Sequence, residues 1–251
     1  MQKMKGGVYL ISLEKDSRRR ELLRQQFASF DSFNLVQAVN GRELGLDEYY
    51  ELAYRAFDAY KQFLSPSEMG CALSHKKALE QFLASDNELG LIFEDDVTGY
   101  DDDIKRAFEI ASILPKNSLL HCFKIKNIHS RVFGKYRQFG CVRVFELDKF
   151  SFRQLSGAVA YVVSKDSAKV LLKQYENAPC ISDFYEPLCF ENARIFYYPI
   201  FSSNDESISN ITTERSRKAK VVKFDVKKLP FYSLRRNVAK YILSRRPDPV
   251  G

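Results

Sequence analysis

Short apolar runs alternate with longer amphipathic segments along most of the chain, and this alternation restricts the fold more than any other feature. The runs 8–13, 89–93, 119–125 and 158–163 are rich in Val, Ile, Leu and Phe, as is typical of strands buried on both faces of a sheet. Segments with apolar residues at helical spacing lie between them. The alternation predicts an α/β fold with a central sheet, flanking helices and a ligand site at the carboxyl ends of the strands.

The helix that begins at Ser65 has the strongest local signal. Ser65 takes the N-cap position, Pro66 the first helical position and Glu68 the third, and together they form a capping box. The apolar spacing predicts that this helix runs to about residue 84. It also predicts helices over 16–30, 47–63, 102–114 and 165–175, and a strand pair over 132–136 and 141–147. We therefore expect one domain over residues 1–214.

Three consecutive carboxylates follow the apolar run 89–93. Glu94, Asp95 and Asp96 would repel one another at the end of a buried strand, and burial would add a desolvation cost to each charge. A divalent cation offsets both effects. The alternate spacing of Glu94 and Asp96 suits two oxygen ligands of Mg²⁺ or Mn²⁺ that leave positions for a diphosphate. The alternative is an acidic turn exposed to water, but the apolar strand before the triplet favours the metal site.

Three other side chains are candidates for chemistry, and each has a structural alternative. Asp183, in an apolar and aromatic segment, is a candidate general base or the cap of a short helix over 184–190. The cluster Arg18-Arg19-Arg20 follows the first strand by one turn, so an arginine there either holds a phosphate through forked hydrogen bonds or belongs to an exposed basic face of the first helix. His75, on the helix that begins at Ser65, is either a ligand or a structural histidine.

Basic residues are concentrated near the end of the chain. Residues 215–246 contain twelve Lys or Arg and one acid, Asp225, whereas the net charge of the whole chain is +7. Apolar residues recur between the basic ones at helical spacing, which predicts a basic amphipathic helix within a tail over residues 215–251. Such helices lie on anionic membrane surfaces, where each basic side chain contributes ~1 kcal/mol. A solvated charged face ranks second, and a nucleic-acid arm third because no nucleic-acid motif accompanies the charge.

The expected compartment follows from what the chain contains. The longest apolar runs fall short of the ~18–20 residues that cross a bilayer, and the first residues do not resemble a signal peptide. Five scattered cysteines without a CxxC spacing suit reduced thiols better than disulfides or a zinc site. We therefore expect a cytoplasmic protein.

Five motifs in order resemble glycosyltransferase family 25, of the bacterial lipooligosaccharide galactosyltransferase type, over about residues 8–210. They are Ile11-Ser12-Leu13 with Arg19-Arg20, then Leu64-Ser65 with Glu68, Cys71 and Ser74-His75, then Phe93-Glu94-Asp95-Asp96-Val97, then the strand 157–164, and finally Ile181-Ser182-Asp183. Ala158 stands where the family has Thr, and Ile181-Ser182 stands where it has Pro-Val. These departures leave the identity of the acceptor open.

The resemblance implies a GT-A-like nucleotide-sugar-binding sheet and an inverting transfer of a hexose from a UDP-sugar. The donor would be UDP-galactose, or else UDP-glucose, and the acceptor a terminal sugar of a lipooligosaccharide or lipopolysaccharide core. It implies Mn²⁺ or Mg²⁺ bound by Glu94, Asp95 and Asp96, with Asp183 as general base and Glu186 in reserve. The implied donor-binding residues are Ser12, Arg19, Ser74, His75 and Asp95.

Such acceptors are lipid-linked and are built on the inner face of the cytoplasmic membrane, which agrees with a basic tail on that surface. Two other hypotheses use the same residues. A membrane-associated scaffold could retain the fold without catalysis, and it would bind no UDP. A metal-dependent phosphoesterase could use the same carboxylates, but the chain lacks the His-rich ligand set of many such sites.

Overall fold

A mixed β-sheet lies at the centre of the computed structural model, which describes residues 5–203, 236–238, 240 and 241. Its strands, in chain order, are β1 (Gly6–Ser12), β2 (Asn34–Gln37), β3 (Leu89–Glu94), β4 (Val97–Thr98), β5 (Ser118–Phe123), β6 (Gly134–Phe139), β7 (Val142–Leu147), β8 (Ala160–Ser164) and β9 (Arg194–Ser203). In space their order is β2-β1-β3-β8-β5-β9-β7-β6, and β4 pairs with β9. The α/β architecture with a central sheet is therefore confirmed.

Helices cover both faces of this sheet. They are α1 (Ser17–Gln26), α2 (Leu46–Tyr60), α3 (Pro66–Ala84), α4 (Asp101–Ser112), α5 (Ile128–Arg131) and α6 (Lys165–Asn177). Buried side chains of α2, α3 and α6 belong to one apolar cluster, and those of α1 and α4 belong to another. Successive strand residues alternate between the two clusters: Ile92 joins the first, and Leu91 and Phe93 join the second.

The direction of the chain around β1 determines where a ligand can bind. β1 is parallel to β2 on one side and to β3 on the other. The chain therefore leaves β1 toward one edge of the sheet and returns on the opposite side of β1. Such a reversal opens a crevice at the carboxyl ends of the two strands. In this protein the crevice lies where β1 and β3 end.

Local signals predicted several boundaries correctly. The capping box of α3 is present: Ser65 Oγ accepts from the Glu68 amide at 3.3 Å, and Glu68 accepts from the Ser65 amide at 2.8 Å. β6 and β7 form the predicted strand pair, which is antiparallel. All five cysteines lie within residues 5–203, and none of them forms a disulfide there.

The prediction for the first helix was too long. α1 ends at Gln26 instead of near residue 30 because the carboxylate of Asp101 accepts hydrogen bonds from the amides of Ala28 and Ser29, at 2.8 and 3.1 Å. These bonds satisfy amides that would otherwise continue the helix. They also tie the end of α1 to the start of α4.

The predicted amphipathic helix within residues 215–246 lies outside the described residues, apart from 236–238, 240 and 241. Within the part of the chain that the structure describes, none of the helices is both long and apolar enough to cross a bilayer.

Candidate active site

A cleft of about 200 Å³ opens at the carboxyl ends of β1 and β3. Its walls are the loop after β1, the loop 38–42 after β2, the first turns of α3, and residues 94–96 after β3. Charged side chains of both signs line it: Lys15, Asp16, Arg19, Arg42, Glu94, Asp95 and Asp96. The cleft therefore lies at the crevice that the strand order creates.

The end of β3 separates the first two acids of the triplet, because Glu94 is the last residue of the strand and Asp95 lies in the turn that follows. Glu94 follows the direction of Ile92 toward α3, where its Oε1 lies 3.1 Å from His75 Nε2. Asp95 points toward α1, and its Oδ1 accepts a hydrogen bond from Arg19 Nη1 at 2.8 Å. Each of these two carboxylates therefore has its own basic partner on a different helix.

The charge of Asp96 is less well compensated than the charges of the other two acids. Within residues 5–203, its Oδ1 is buried without a hydrogen-bond partner. Burial, together with the charges of Glu94 and Asp95, raises the pKa of Asp96 from 3.8 to about 7. Burial also raises the pKa of Asp95, although the guanidinium of Arg19 opposes that shift. This set of oxygen donors fits a hard divalent cation, which would satisfy the buried oxygen and offset the repulsion.

His75 is completely buried on the inner face of α3. Its Nε2 faces Glu94, and its Nδ1 lies 3.0 Å from Tyr161 Oη on β8. One helical turn earlier, Cys71 lies on the same face of α3 and lines the cleft. The structure thus joins α3, β3 and β8 through one imidazole ring.

Ser74 fixes the loop that forms one wall of the cleft. Its hydroxyl accepts from the Val39 amide at 2.8 Å and donates to the Gly70 carbonyl at 2.6 Å. Gly41 and Gly70 meet at the same contact, where a side chain on either would collide with backbone atoms. Ser74 is 1% exposed but is among the residues that line the cleft, where it clamps the loop.

Ser12 and Arg20 fix the opposite wall. Ser12 is buried, and its Oγ accepts from Arg20 Nη1 at 2.9 Å. Arg20 also donates to the carbonyls of Leu13 and Glu14, and it thereby holds the turn between β1 and α1. Of these two neighbouring arginines, Arg19 is the one that lines the cleft.

The candidate base, Asp183, lies beside the cleft but is not among its lining residues. Its Oδ2 accepts from the Gly157 amide at 2.9 Å. The hydroxyl of the preceding residue, Ser182, lies 3.4 Å from Cys71 Sγ in the cleft wall. The structure therefore brings the 181–183 segment to the rear of the cleft.

Glu186 lies farther along the same segment, at the start of a 3₁₀ helix over Glu186–Phe190. It is buried, and its Oε1 is 3.9 Å from Arg153 Nη1. Burial raises the pKa of this carboxyl group. Like Asp183, it is not among the residues that line the cleft.

Sequence reasoning missed several residues of the cleft. Lys15 and Asp16 follow β1, and Asn40 and Arg42 follow β2. A usable signal was present for Lys15 and Asp16, because their loop begins at the end of the predicted strand 8–13, where ligand sites form.

The comparisons with known proteins agree with one another on the family. A sequence model described as glycosyltransferase family 25 (LPS biosynthesis protein) matches residues 6–185. The chain is 31% identical over 99 residues to a glycosyltransferase 25 family member of Aedes aegypti, and this match covers 36% of the chain and 16% of that protein. It is 28% identical over 127 residues to procollagen galactosyltransferase 1-B of Xenopus laevis, and this match covers 48% of the chain and 19% of that protein. The chain thus matches less than a fifth of the length of either curated relative.

Among solved structures, the inositol-1-phosphate CTP transferase from T. maritima aligns with 84% of this chain and 94% of that chain. The TM-score is 0.37 at 11% sequence identity, and this similarity adds nothing to the assignment. The assignment rests on the family match, which extends from β1 to the segment that holds Asp183. The chain belongs to glycosyltransferase family 25.

Proposed function

We propose that this chain transfers galactose from UDP-galactose to a terminal sugar of a lipooligosaccharide or lipopolysaccharide core, on a GT-A-like sheet. The observation that carries the proposal is the cleft where β1 and β3 end, which combines Glu94, Asp95 and Asp96 with the basic residues Lys15 and Arg19. The acids suit a divalent cation, and the basic side chains suit the phosphates of a nucleoside diphosphate.

The cation is Mn²⁺ or Mg²⁺, and Glu94, Asp95 and Asp96 are its ligands. When bound, it neutralises charge on the departing diphosphate. Arg19 holds Asp95 in position through the 2.8 Å ion pair and lines the cleft, where it can contact a phosphate. The buried Oδ1 of Asp96 supports this assignment, because it has no hydrogen-bond partner within residues 5–203.

Asp183 is the proposed general base, which takes the proton from the acceptor hydroxyl as that oxygen attacks the anomeric carbon with inversion. The Gly157 amide orients its Oδ2. Glu186, which faces Arg153, remains the reserve candidate. Ser12 and Ser74 line the donor site and shape it by holding the loops that form its walls.

His75 contributes to the donor site through Glu94, whose Oε1 lies 3.1 Å from the imidazole. It thereby fixes one of the three carboxylates that form the proposed cation site. We propose this positioning role in place of direct contact with the donor, because the ring is completely buried.

Galactose is proposed as the transferred sugar because one relative is named a procollagen galactosyltransferase, with UDP-glucose as the alternative donor. The family description, which refers to LPS biosynthesis, supports a lipid-linked glycan acceptor. The twelve basic residues within 215–246 suit the anionic inner face of the cytoplasmic membrane. We therefore propose a cytoplasmic enzyme that binds peripherally to that surface.

The direct test is transfer or slow hydrolysis of UDP-galactose and UDP-glucose by the full chain with Mn²⁺, in the presence of GlcNAc- or Glc-terminated acceptors. Calorimetric titration with UDP, with and without Mn²⁺, gives a second readout. Asp96→Asn should abolish the metal-dependent part of UDP binding. The control is Asp102→Asn, which alters an exposed acid on α4 and should bind UDP with and without Mn²⁺ as the parent does.

Failure of every UDP-sugar to support transfer or hydrolysis would contradict the enzymatic proposal, and failure of UDP to bind would favour the scaffold. Hydrolysis of simple phosphate esters without an acceptor would favour the phosphoesterase. The membrane proposal has its own test, because removal of residues 215–251 should release the protein from anionic vesicles and leave turnover of soluble acceptors intact. Unchanged vesicle binding by the truncated chain would contradict it.

A further inference from the structure

Cys71, His75 and Glu94 form a group of possible metal ligands at the inner end of the cleft. One ligand atom of each lies within 4.8 Å of the other two. Cys71 and His75 are four residues apart on α3, so both side chains lie on one helix face, and Glu94 reaches them from the end of β3. Two rigid elements therefore converge on one point.

The chemistry of this group differs from that of a carboxylate site. Thiolate and imidazole ligands suit zinc and similar cations, whereas Mg²⁺ and Mn²⁺ are bound by carboxylate, carbonyl and water oxygens. Zinc sites with three protein ligands keep a fourth position for an exchangeable molecule. Cys71 and Glu94 line the cleft while His75 is buried behind them, so such a fourth position would open into the cleft.

A second observation points to a ligand role for His75. A metal-bound histidine almost always donates its other ring N–H to a neighbouring group, which orients the ring. Tyr161 Oη lies 3.0 Å from His75 Nδ1 and can accept that hydrogen bond, while Nε2 faces Glu94. Ser182 Oγ lies 3.4 Å from Cys71 Sγ and supplies the corresponding contact at the thiol.

We propose that Cys71, His75 and Glu94 bind one divalent cation of the zinc class, with an exchangeable fourth ligand from the cleft. Binding releases the thiol proton of Cys71 to solvent. The neutral imidazole binds through Nε2 and carries its single proton on Nδ1, directed at Tyr161 Oη. In the metal-free protein, His75 and Glu94 are held together by the contact between Nε2 and Oε1, and the cation replaces this contact.

This site does not rest on the proposed UDP-sugar transfer. Glu94 belongs to both ligand sets, but Asp95 and Asp96 lie outside the group of three. The test therefore uses the full chain without nucleotide or Mn²⁺, so that failure of the zinc site and failure of the transferase proposal are observed separately.

Co²⁺, which substitutes for zinc and absorbs light, is the probe. The reduced full chain should bind Co²⁺ with a thiolate-to-cobalt charge-transfer band and the strong d–d bands of tetrahedral coordination, and added Zn²⁺ should abolish these bands. Cys71→Ser should lose the charge-transfer band. Cys141→Ser, which alters an exposed cysteine elsewhere in the chain, should retain it. Tyr161→Phe should weaken zinc binding by about 10-fold or more, as loss of a group that orients a ligand does.

Circular dichroism of each variant establishes that it is folded. Absence of a thiolate–cobalt band in the folded parent would overturn the proposal, as would a band that persists in Cys71→Ser and is lost in Cys141→Ser. Tyr161→Phe separates a ligand role from a structural one. If the variant loses stability but binds zinc like the parent, Tyr161 does not orient a metal ligand, and the argument from the hydrogen bond to His75 fails.

Discussion

Replacing Asp96 by Asn should stabilise the protein without metal and abolish its response to divalent cations. The variant keeps nearly the same side-chain shape but removes a charge that burial and the nearby charges of Glu94 and Asp95 disfavour. Residues placed for ligand binding often lower the stability of the free protein, and their removal then raises it. The two effects of Asp96→Asn, higher stability and lost binding, therefore have one electrostatic cause.

The magnitude follows from the pKa of Asp96, which rises from 3.8 to about 7 on folding. Because the folded protein holds this proton more tightly than the unfolded chain, the stabilisation is complete below pH 3.8 and is lost as the pH rises through about 7. At 1.36 kcal/mol per pH unit, the full loss is about 4 kcal/mol. Asn does not ionise, so the free energy of unfolding of Asp96→Asn should exceed that of the parent by up to about 4 kcal/mol at pH 8 and by about 2 kcal/mol at pH 5.

Urea unfolding followed by far-UV circular dichroism measures this difference, and it suits a chain without Trp. Mn²⁺ at 100 times its dissociation constant should raise the free energy of unfolding of the parent by about 2.7 kcal/mol and should leave that of Asp96→Asn unchanged. Asp102→Asn, at the exposed acid, should change stability by less than about 1 kcal/mol and keep the Mn²⁺ response.

Two results would refute the reasoning. Equal stability of the parent and Asp96→Asn at pH 8 without metal would mean that the carboxylate is well solvated. An undiminished Mn²⁺ response in Asp96→Asn would mean that the cation binds without this oxygen.

Three further changes test the fold around the cleft, and urea unfolding measures each. Gly41→Ala should lower the free energy of unfolding by about 1–3 kcal/mol, because the added Cβ would collide with the Pro66 carbonyl. The matched control is Gly45→Ala, whose added Cβ meets no atom within 4 Å. Equal losses of stability in the two variants would contradict the predicted collision. Burial lowers the pKa of His121 from 6.5 to about 4. As the pH falls, the unfolded chain therefore protonates this histidine before the folded protein does, and the free energy of unfolding should fall by about 3 kcal/mol between pH 6.5 and pH 4. His121→Phe should show a shallower pH dependence over this range, and an unchanged slope would assign the loss to other groups. Ser65→Ala should cost about 1 kcal/mol through loss of the capping box, and a change near zero would mean that the cap is dispensable.

The elements that the sequence predicted well depend on neighbouring residues. The start of α3 follows from Ser65 and Glu68, three positions apart, and its boundary is correct. The end of α1 could not be found this way, because it depends on Asp101, more than 70 residues away along the chain. Hydrogen bonds between distant residues leave no periodic trace in either segment.

The same distinction applies to the cleft. The acidic triplet was visible because its three charges are adjacent in sequence. Its partners were harder to identify, since Arg19 and Arg20 look alike in sequence but perform different tasks, one in an ion pair with Asp95 and the other at the backbone of the β1–α1 turn. The contact between His75 and Glu94 depends on how α3 packs beside β3, which sequence spacing alone does not determine.

The two proposed cation sites draw on different neighbours of one acidic triplet. Glu94, the last residue of β3, meets an imidazole and lies within reach of a thiol, while Asp95, in the turn that follows, meets a guanidinium. The first environment offers nitrogen and sulfur and favours zinc, whereas Asp95 and Asp96 offer oxygen and favour Mg²⁺ or Mn²⁺. If a nucleoside diphosphate binds beside Asp95 and Asp96, as proposed, a hard cation would offset the negative charge that it brings to the cleft. Glu94 belongs to both proposed ligand sets. A cation bound by Glu94 on the α3 side would therefore reduce the negative charge that Glu94 offers to a cation bound by Asp95 and Asp96.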